Sequence, residues 1–69
     1  MAGGVTIQVN GEPHTVAAEA TLRRLLAERD PRPPFAVEVN KRLVKRDAYD
    51  ATVLRDGDRV EIVTLVGGG

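Results

Sequence analysis

An α+β roll, with one helix packed on one face of a four- to five-stranded mixed sheet, is the fold that this 69-residue sequence predicts. Three observations carry it. An alternating apolar segment is broken by Asn10-Gly11, a single short helical pattern is stopped by prolines, and further alternating segments follow. One helix covers only one side of such a sheet, so the other side faces water or a partner.

Each element has its own signal. Val5, Ile7 and Val9 alternate with Thr6 and Gln8, the period of a half-buried strand. Asn10-Gly11 is a strong hairpin signal, because both central positions of a type I′ turn need positive φ. Glu12 to Val16 is the return strand, and Pro13, which has no N–H to give a ladder, predicts that it is an edge. Thr21 N-caps a helix with Leu22, Leu25 and Leu26 on one face and Arg23, Arg24, Glu28 and Arg29 toward solvent. Pro31, Pro33 and Pro34 end it near Asp30. Phe35, Val37 and Val39 mark a third strand that stops at Asn40-Lys41. Leu43-Val44 is a short apolar patch, and Asp47 to Asp50 predicts a turn or one turn of helix. Asp56-Gly57-Asp58 is a tight turn ahead of a final strand, Arg59 to Leu65. The helix face is expected to pack on Val5, Ile7, Phe35, Val37, Val60 and Ile62.

The sequence reads as one domain, residues 1–69, with a loose start at 1–4 and a flexible glycine tail at 66–69. Apolar content of 42% with 29% charge argues against disorder, and the formal net charge of zero supplies no global field toward nucleic acid or membrane. The missing residue types exclude most chemistry. There is no Cys, Ser or Trp, and a single His. The two commonest activated nucleophiles are therefore absent, and the usual zinc ligand sets cannot be assembled. Carboxylates alone offer acid–base groups, but so small a domain has little depth in which to tune them. The reading is of a protein that is not an enzyme. The lack of Cys fits the cytoplasm.

Strict alternation along the last strand turns Val60 and Ile62 toward the helix and puts Glu61, Val63 and Leu65 on the other face. Either the strand is central and a loop covers its far side, or Val63 and Leu65 form a docking patch. Just beyond lie Val66 and the run Gly67-Gly68-Gly69. Most such runs are frayed ends or linkers. Three residues without side chains also suit a slot too narrow for any side chain. Four extended residues reach roughly 13–14 Å, enough to carry a terminal carboxylate into another protein's active site.

Other clusters have plainer readings. His14 faces inward near Ile7 as a partly buried strand residue. Lys41, Arg42, Lys45 and Arg46 form a solvated basic loop, with no interleaved aromatics to stack bases. Arg23 and Arg24 oppose the helix dipole, a cost tolerated at an exposed surface or offset by a partner's acidic groups. Asp56 and Asp58 are too few for a calcium loop.

One ordered set of segments goes further. Val9-Asn10-Gly11-Glu12, Thr21-Leu22 with Leu25-Leu26, Asn40, Val44 with Arg46, Asp56-Gly57-Asp58, and Glu61-Ile62-Val63 running into Val66-Gly67-Gly68-Gly69 together resemble the ThiS family. Its members are sulfur carriers of thiamine biosynthesis with a β-grasp (ubiquitin-like) fold. The resemblance spans about Val5 to Gly69. It departs in ending on three glycines where the family needs two. The resemblance implies that Gly69 becomes an adenylate and then a thiocarboxylate, with Gly67 and Gly68 as the tail and Val63, Leu65 and Val66 at the docking surface. No side chain is catalytic and no metal is bound. ATP and magnesium are used by a ThiF-like adenylating partner, and no cofactor is bound by the carrier itself. A cysteine desulfurase or other persulfide donor supplies sulfur, and a ThiG-like thiazole synthase receives it. The expected state is a monomer without nucleic-acid or membrane partners.

Rival readings are carriers for molybdopterin or cysteine synthesis, and a non-carrier β-grasp binding module with a glycine scar. The molybdopterin carrier is typically longer and has an aromatic-proline stretch before its glycines, which Val63-Thr64-Leu65-Val66 does not match. The neutral charge counts against an RNA-binding module.

Overall fold

Asn10 and Gly11 take φ values of 51° and 85°, and the chain reverses tightly between strands β1 (Val5–Val9) and β2 (Glu12–Val16). The computed structural model describes residues 3–65. In it Val5 lies opposite Val16 and Val9 opposite Glu12, the antiparallel register that a two-residue turn imposes. A second reversal uses the same backbone at Asn40 and Lys41, with φ of 52° and 69°, between β3 (Phe35–Val39) and β4 (Arg42–Val44). Its lysine occupies a position that usually takes glycine, so the sequence shows a strand end there and the structure shows a hairpin. The apolar patch at Leu43-Val44 is accordingly an edge strand.

The two hairpins meet only through β5 (Arg59–Thr64). The strand order is β2-β1-β5-β3-β4. β5 runs parallel to β1, with Val9 opposite Val60, and antiparallel to β3, with Val37 opposite Ile62. The sheet is therefore five-stranded and mixed, and β2 with its Pro13 lies at one edge as predicted. Leu65 falls one residue beyond the last strand position, although its N–H still donates to the Pro34 carbonyl at 2.8 Å.

Helix α1 (Leu22–Arg29) crosses one face, and its end chemistry accounts for every orphan N–H of its first turn. Leu22 N–H donates to the Thr52 carbonyl at 2.8 Å and Arg23 N–H to the Tyr49 carbonyl at 3.2 Å. Arg24 N–H reaches the Thr21 hydroxyl at 3.3 Å, and Leu25 N–H reaches the Thr21 carbonyl at 3.2 Å. Asp30, left-handed at φ 48°, closes the C-terminus by donating its N–H to the Leu26 carbonyl at 2.7 Å. Arg23 opposes the helix dipole, but no partner is needed to offset it. Its Nε lies 2.7 Å from Asp50 Oδ1, and its guanidinium sits 5.5 Å from the centre of the Tyr49 ring. Arg24 has Glu28 at 3.9 Å, one helical turn on.

Leu22, Leu25 and Leu26 pack with Ile7, Val37 and Val60, all buried, while Val5, Phe35 and Ile62 are partly buried against them. Four more core members extend this set: Val9, Val16, Tyr49 and Leu54. The last two come from the connection between β4 and β5, which contains a single turn of 3-10 helix at Arg46–Ala48. Leu54 N–H donates to the Ala20 carbonyl at 2.9 Å, which draws this connection under the start of the helix. An apolar side chain in an irregular segment has no period to betray it.

At the N-terminus, Gly4 lies against β2. Its backbone lies so close against the Val16 carbonyl that a Cβ there would collide with it. Gly3 and Gly4 have no regular structure, and Met1 and Ala2 lie outside the described residues. Replacing Leu26 with Ala should destabilise the domain by about 2–5 kcal/mol, a large share of what a domain this small possesses. Urea titration checks this as a fall in the midpoint at unchanged slope.

Candidate functional site: the open sheet face beside the end of β5

β5 is held on both flanks by asparagine side chains from the two hairpin turns. On the β1 side, Asn10 N–H donates to the Val60 carbonyl at 2.9 Å. Its carboxamide then continues the ladder that β1 has left. Ile62 N–H donates to Asn10 Oδ1 at 2.8 Å, and Asn10 Nδ2 donates to the Ile62 carbonyl at 3.3 Å. On the β3 side, Arg59 N–H donates to Asn40 Oδ1 at 3.0 Å, while Asn40 N–H donates to the Arg59 carbonyl at 2.8 Å. A side-chain amide matches a peptide group in shape and donor–acceptor pattern, so Asn10 acts as one more strand residue, while the Asn40 carboxamide bridges Arg59 N–H and the Asp58 carboxylate.

The turn before β5 is tied in the same manner. Thr6 N–H donates to Asp56 Oδ1 at 2.9 Å, and Gly57 N–H donates back to the Thr6 carbonyl at 2.8 Å. Asp58 accepts Arg55 N–H at 2.8 Å on one oxygen and Asn40 Nδ2 at 2.9 Å on the other. These two carboxylates are turn builders. Among the described residues, no group of three or more His, Cys, Asp and Glu side chains is arranged to hold a metal ion.

Held in this way, β5 presents its odd-numbered residues to the face away from the helix. Val63 is 48% exposed and Leu65 is 49% exposed. The strand is central, yet no described loop covers them. On the same face Ala36 lies directly opposite Val63, and the next row across the sheet is Leu43, Glu38 and Glu61. Leu43, 61% exposed, is the most open large apolar side chain among the described residues. It joins Val63 and Leu65, two of the three predicted docking residues, and only its hairpin register reveals the face on which it sits. Val66, Gly67, Gly68 and Gly69 lie outside the described residues. What can be placed is the root from which they start, at the rim of this apolar face.

The remaining clusters stand apart from it. His14 lies opposite Ile7, half-buried, with Nε2 4.0 Å from Glu28 Oε1. Lys41, Arg42, Lys45 and Arg46 are all exposed, and no carboxylate among the described residues lies within 4.0 Å of them. Lys45 and Arg46 border an open groove of about 610 Å³, lined by Phe35, Val44 and Tyr49 among others. No helix among the described residues is long and apolar enough to cross a membrane.

A mixed sheet ordered 2-1-5-3-4 with one helix across it is a β-grasp domain, and the apolar open face ending toward a glycine run is the layout of a ubiquitin-like carrier. A sequence model of the ThiS family matches residues 7–69. The crystal structure of the thiamine biosynthesis protein ThiS from Geobacter metallireducens superposes with a TM-score of 0.80 at 36% identity, covering 94% of this chain and all of that one. The solution structure of a thiamine biosynthesis protein from the same organism gives 0.76 at 36% identity, over 94% of this chain and 88% of that one. The chain belongs to the ThiS family, the sulfur carriers of thiamine biosynthesis. It is 45% identical over 64 residues to a thiazole synthase of Magnetococcus marinus, a match covering 91% of this chain and 20% of that protein. An uncharacterized protein, ycf40, of Porphyra purpurea is 38% identical over 66 residues, with 94% of this chain and 93% of that one covered. The chain thus spans a fifth of the length of the thiazole synthase it matches and nearly all of the shorter relative.

Because Asn10 both takes the left-handed turn position and completes the ladder of Ile62, Asn10→Ala should cost about 1–3 kcal/mol. Amide exchange should show the loss concentrated at Ile62 and the residues beyond it, while Leu25 in the helix keeps its protection relative to the global value.

Proposed function

We propose that this chain carries sulfur on its C-terminal glycine for assembly of the thiazole ring of thiamine. The observation that carries the reading is the apolar face Ala36, Leu43, Val63 and Leu65, lying at the root of Val66-Gly67-Gly68-Gly69 in a ThiS-family chain. Gly69 is the modified residue, Gly67 and Gly68 are the side-chain-free reach, and Val63, Leu65 and Val66 belong to the docking surface. The carrier contributes no catalytic side chain of its own.

The chemistry follows from the state of the terminus. An α-carboxyl group titrates near pH ~3.5, so at neutral pH it is an anion and a poor electrophile. A carboxylate oxygen attacks the α-phosphorus of ATP on a ThiF-like partner, with magnesium, and pyrophosphate departs. The resulting acyl-adenylate is a mixed anhydride with AMP as a good leaving group. A persulfide, charged by a cysteine desulfurase or other donor, attacks the acyl carbon through its terminal sulfur and expels AMP, which leaves an acyl disulfide. A second thiol attacks the outer sulfur, a disulfide forms, and the glycine retains a thiocarboxylate. ThiG-like thiazole synthase takes that sulfur. The resemblance of this chain to one-fifth of a longer thiazole synthase supports that pairing, since fused segments commonly act on one another. Absence of Cys suits the task, because no internal thiol competes for the acyl group. The proposed use of ATP and reduced thiols fits a cytoplasmic setting, in which the carrier is read as a monomer.

Incubation with the cognate adenylating enzyme, ATP, magnesium and a sulfur donor should raise the intact mass by the difference between sulfur and oxygen. Deleting Gly69 leaves the reacting carboxylate about 3.5 Å short, so conversion should slow sharply in a chain that still folds. Residues added after Gly69 should abolish conversion, and equal conversion of the extended chain would refute the carrier reading. Val63→Asp and Leu65→Asp should weaken partner binding while shifting stability by no more than about 0.5 kcal/mol, as expected of exposed positions. Calorimetric titration and thermal melts separate those two effects.

A further inference from the structure

The docking face carries a feature that its apolar residues do not explain. Glu38 of β3 and Glu61 of β5 lie directly opposite each other on that face, in the same row as Leu43 and next to the Ala36–Val63 pair. Directly opposed residues hold their Cβ atoms about 4.5–5.5 Å apart, and like charges so placed destabilise a sheet. No basic group among the described residues lies within 4.0 Å of either carboxylate, Arg59 two positions along β5 included. Neither carboxylate takes part in a side-chain hydrogen bond among the described residues, whereas in the neighbouring turn Asp56 accepts on one oxygen and Asp58 on both. Among the described residues, this pair of carboxylates therefore has no ion-pair partner, although it sits beside the exposed Leu43 and Val63.

We infer that the open face is read by the adenylating enzyme through an arginine or lysine that enters between Glu38 and Glu61, while apolar side chains cover Leu43, Ala36, Val63 and Leu65. This inference rests on the carrier reading above and names the chemistry of its partner. Charge complementarity selects the occupant. An enzyme that gathers a nucleotide triphosphate and a carboxylate in one site presents cations around it, and the paired glutamates stand near the root of the tail that must enter. A second copy of this chain is a poor occupant, because a symmetric dimer on this face would set four carboxylates against one another. Once desolvated by the surrounding apolar contacts, a guanidinium shared by two carboxylates gains strength from the low local dielectric. Its entry also supplies the cation that these two directly opposed carboxylates lack among the described residues.

The test measures Kd for the adenylating enzyme at low and moderate salt, using wild type, Glu38→Gln, Glu61→Gln and the double variant, each with its Tm. Glutamine keeps shape and volume and removes only charge. The double variant should bind about tenfold or more weakly, with a flatter salt dependence, and its Tm should hold or rise. Equal affinity with an unchanged salt dependence overturns the inference. A joint fall of Tm and affinity in both single variants also overturns it, because the carboxylates would then be structural. Loss confined to thiazole synthase binding, measured in parallel, overturns the chosen occupant. Thiocarboxylate formation by the wild type is read separately. If it proceeds while the double variant binds normally, the carrier reading stands and this inference alone fails.

Discussion

The fold depends on the insertion of β5 between two hairpins that otherwise have no common edge. β1 with β2, and β3 with β4, are local units closed by two-residue turns. Neither forms a core alone, since a two-stranded hairpin is marginal at best in water. β5 supplies the parallel ladder to β1 and the antiparallel ladder to β3, and with them the buried Val60 beneath the helix. The asparagines of both turns bond to its backbone, so the elements that end the hairpins also align the strand that joins them. Local turn chemistry and long-range pairing thereby agree, which is the condition for a sequence to specify one structure.

That arrangement also fixes what the site can be. A strand hydrogen-bonded on both flanks cannot rotate its side chains between faces, because each residue's side is set by the pleat. Val60 and Ile62 point toward the helix, so Glu61 and Val63 must point away from it. The apolar open face is therefore a direct result of burying the opposite side of the same strand. Surface composition alone would have tolerated polar residues at Val63, Leu65 and Leu43, since none of them is needed to fill the core.

Most of this was legible in the sequence where a period or a turn residue announces itself. The strand from Val5 to Val9, the helix from Thr21 to Asp30 and the face that Val63 and Leu65 share follow from spacing alone, while the exposure of that pair is decided by the structure. What stayed hidden has physical reasons. Lys41 occupies a left-handed turn position without being glycine, so the second hairpin gave no composition signal. Tyr49 and Leu54 are core residues in an irregular connection, where burial is decided by contacts distant in sequence. The opposition of Glu38 to Glu61 depends on register between strands more than twenty positions apart, which no single segment contains. The acidic partner of Arg23 was equally invisible, because Asp50 approaches the helix only after the β4–β5 connection folds beneath it.

Placing the sheet's joining strand after the four strands that it unites has a consequence during synthesis. Until the ribosome has released the segment near residues 59–64, the emerging polypeptide holds two hairpins and a short helix with no shared sheet to rest on. Such an intermediate is short of buried surface and exposed to proteases, and contacts of large sequence separation make its closure slow relative to local folding. A message truncated before β5 yields a product that cannot hide its apolar residues and is open to degradation.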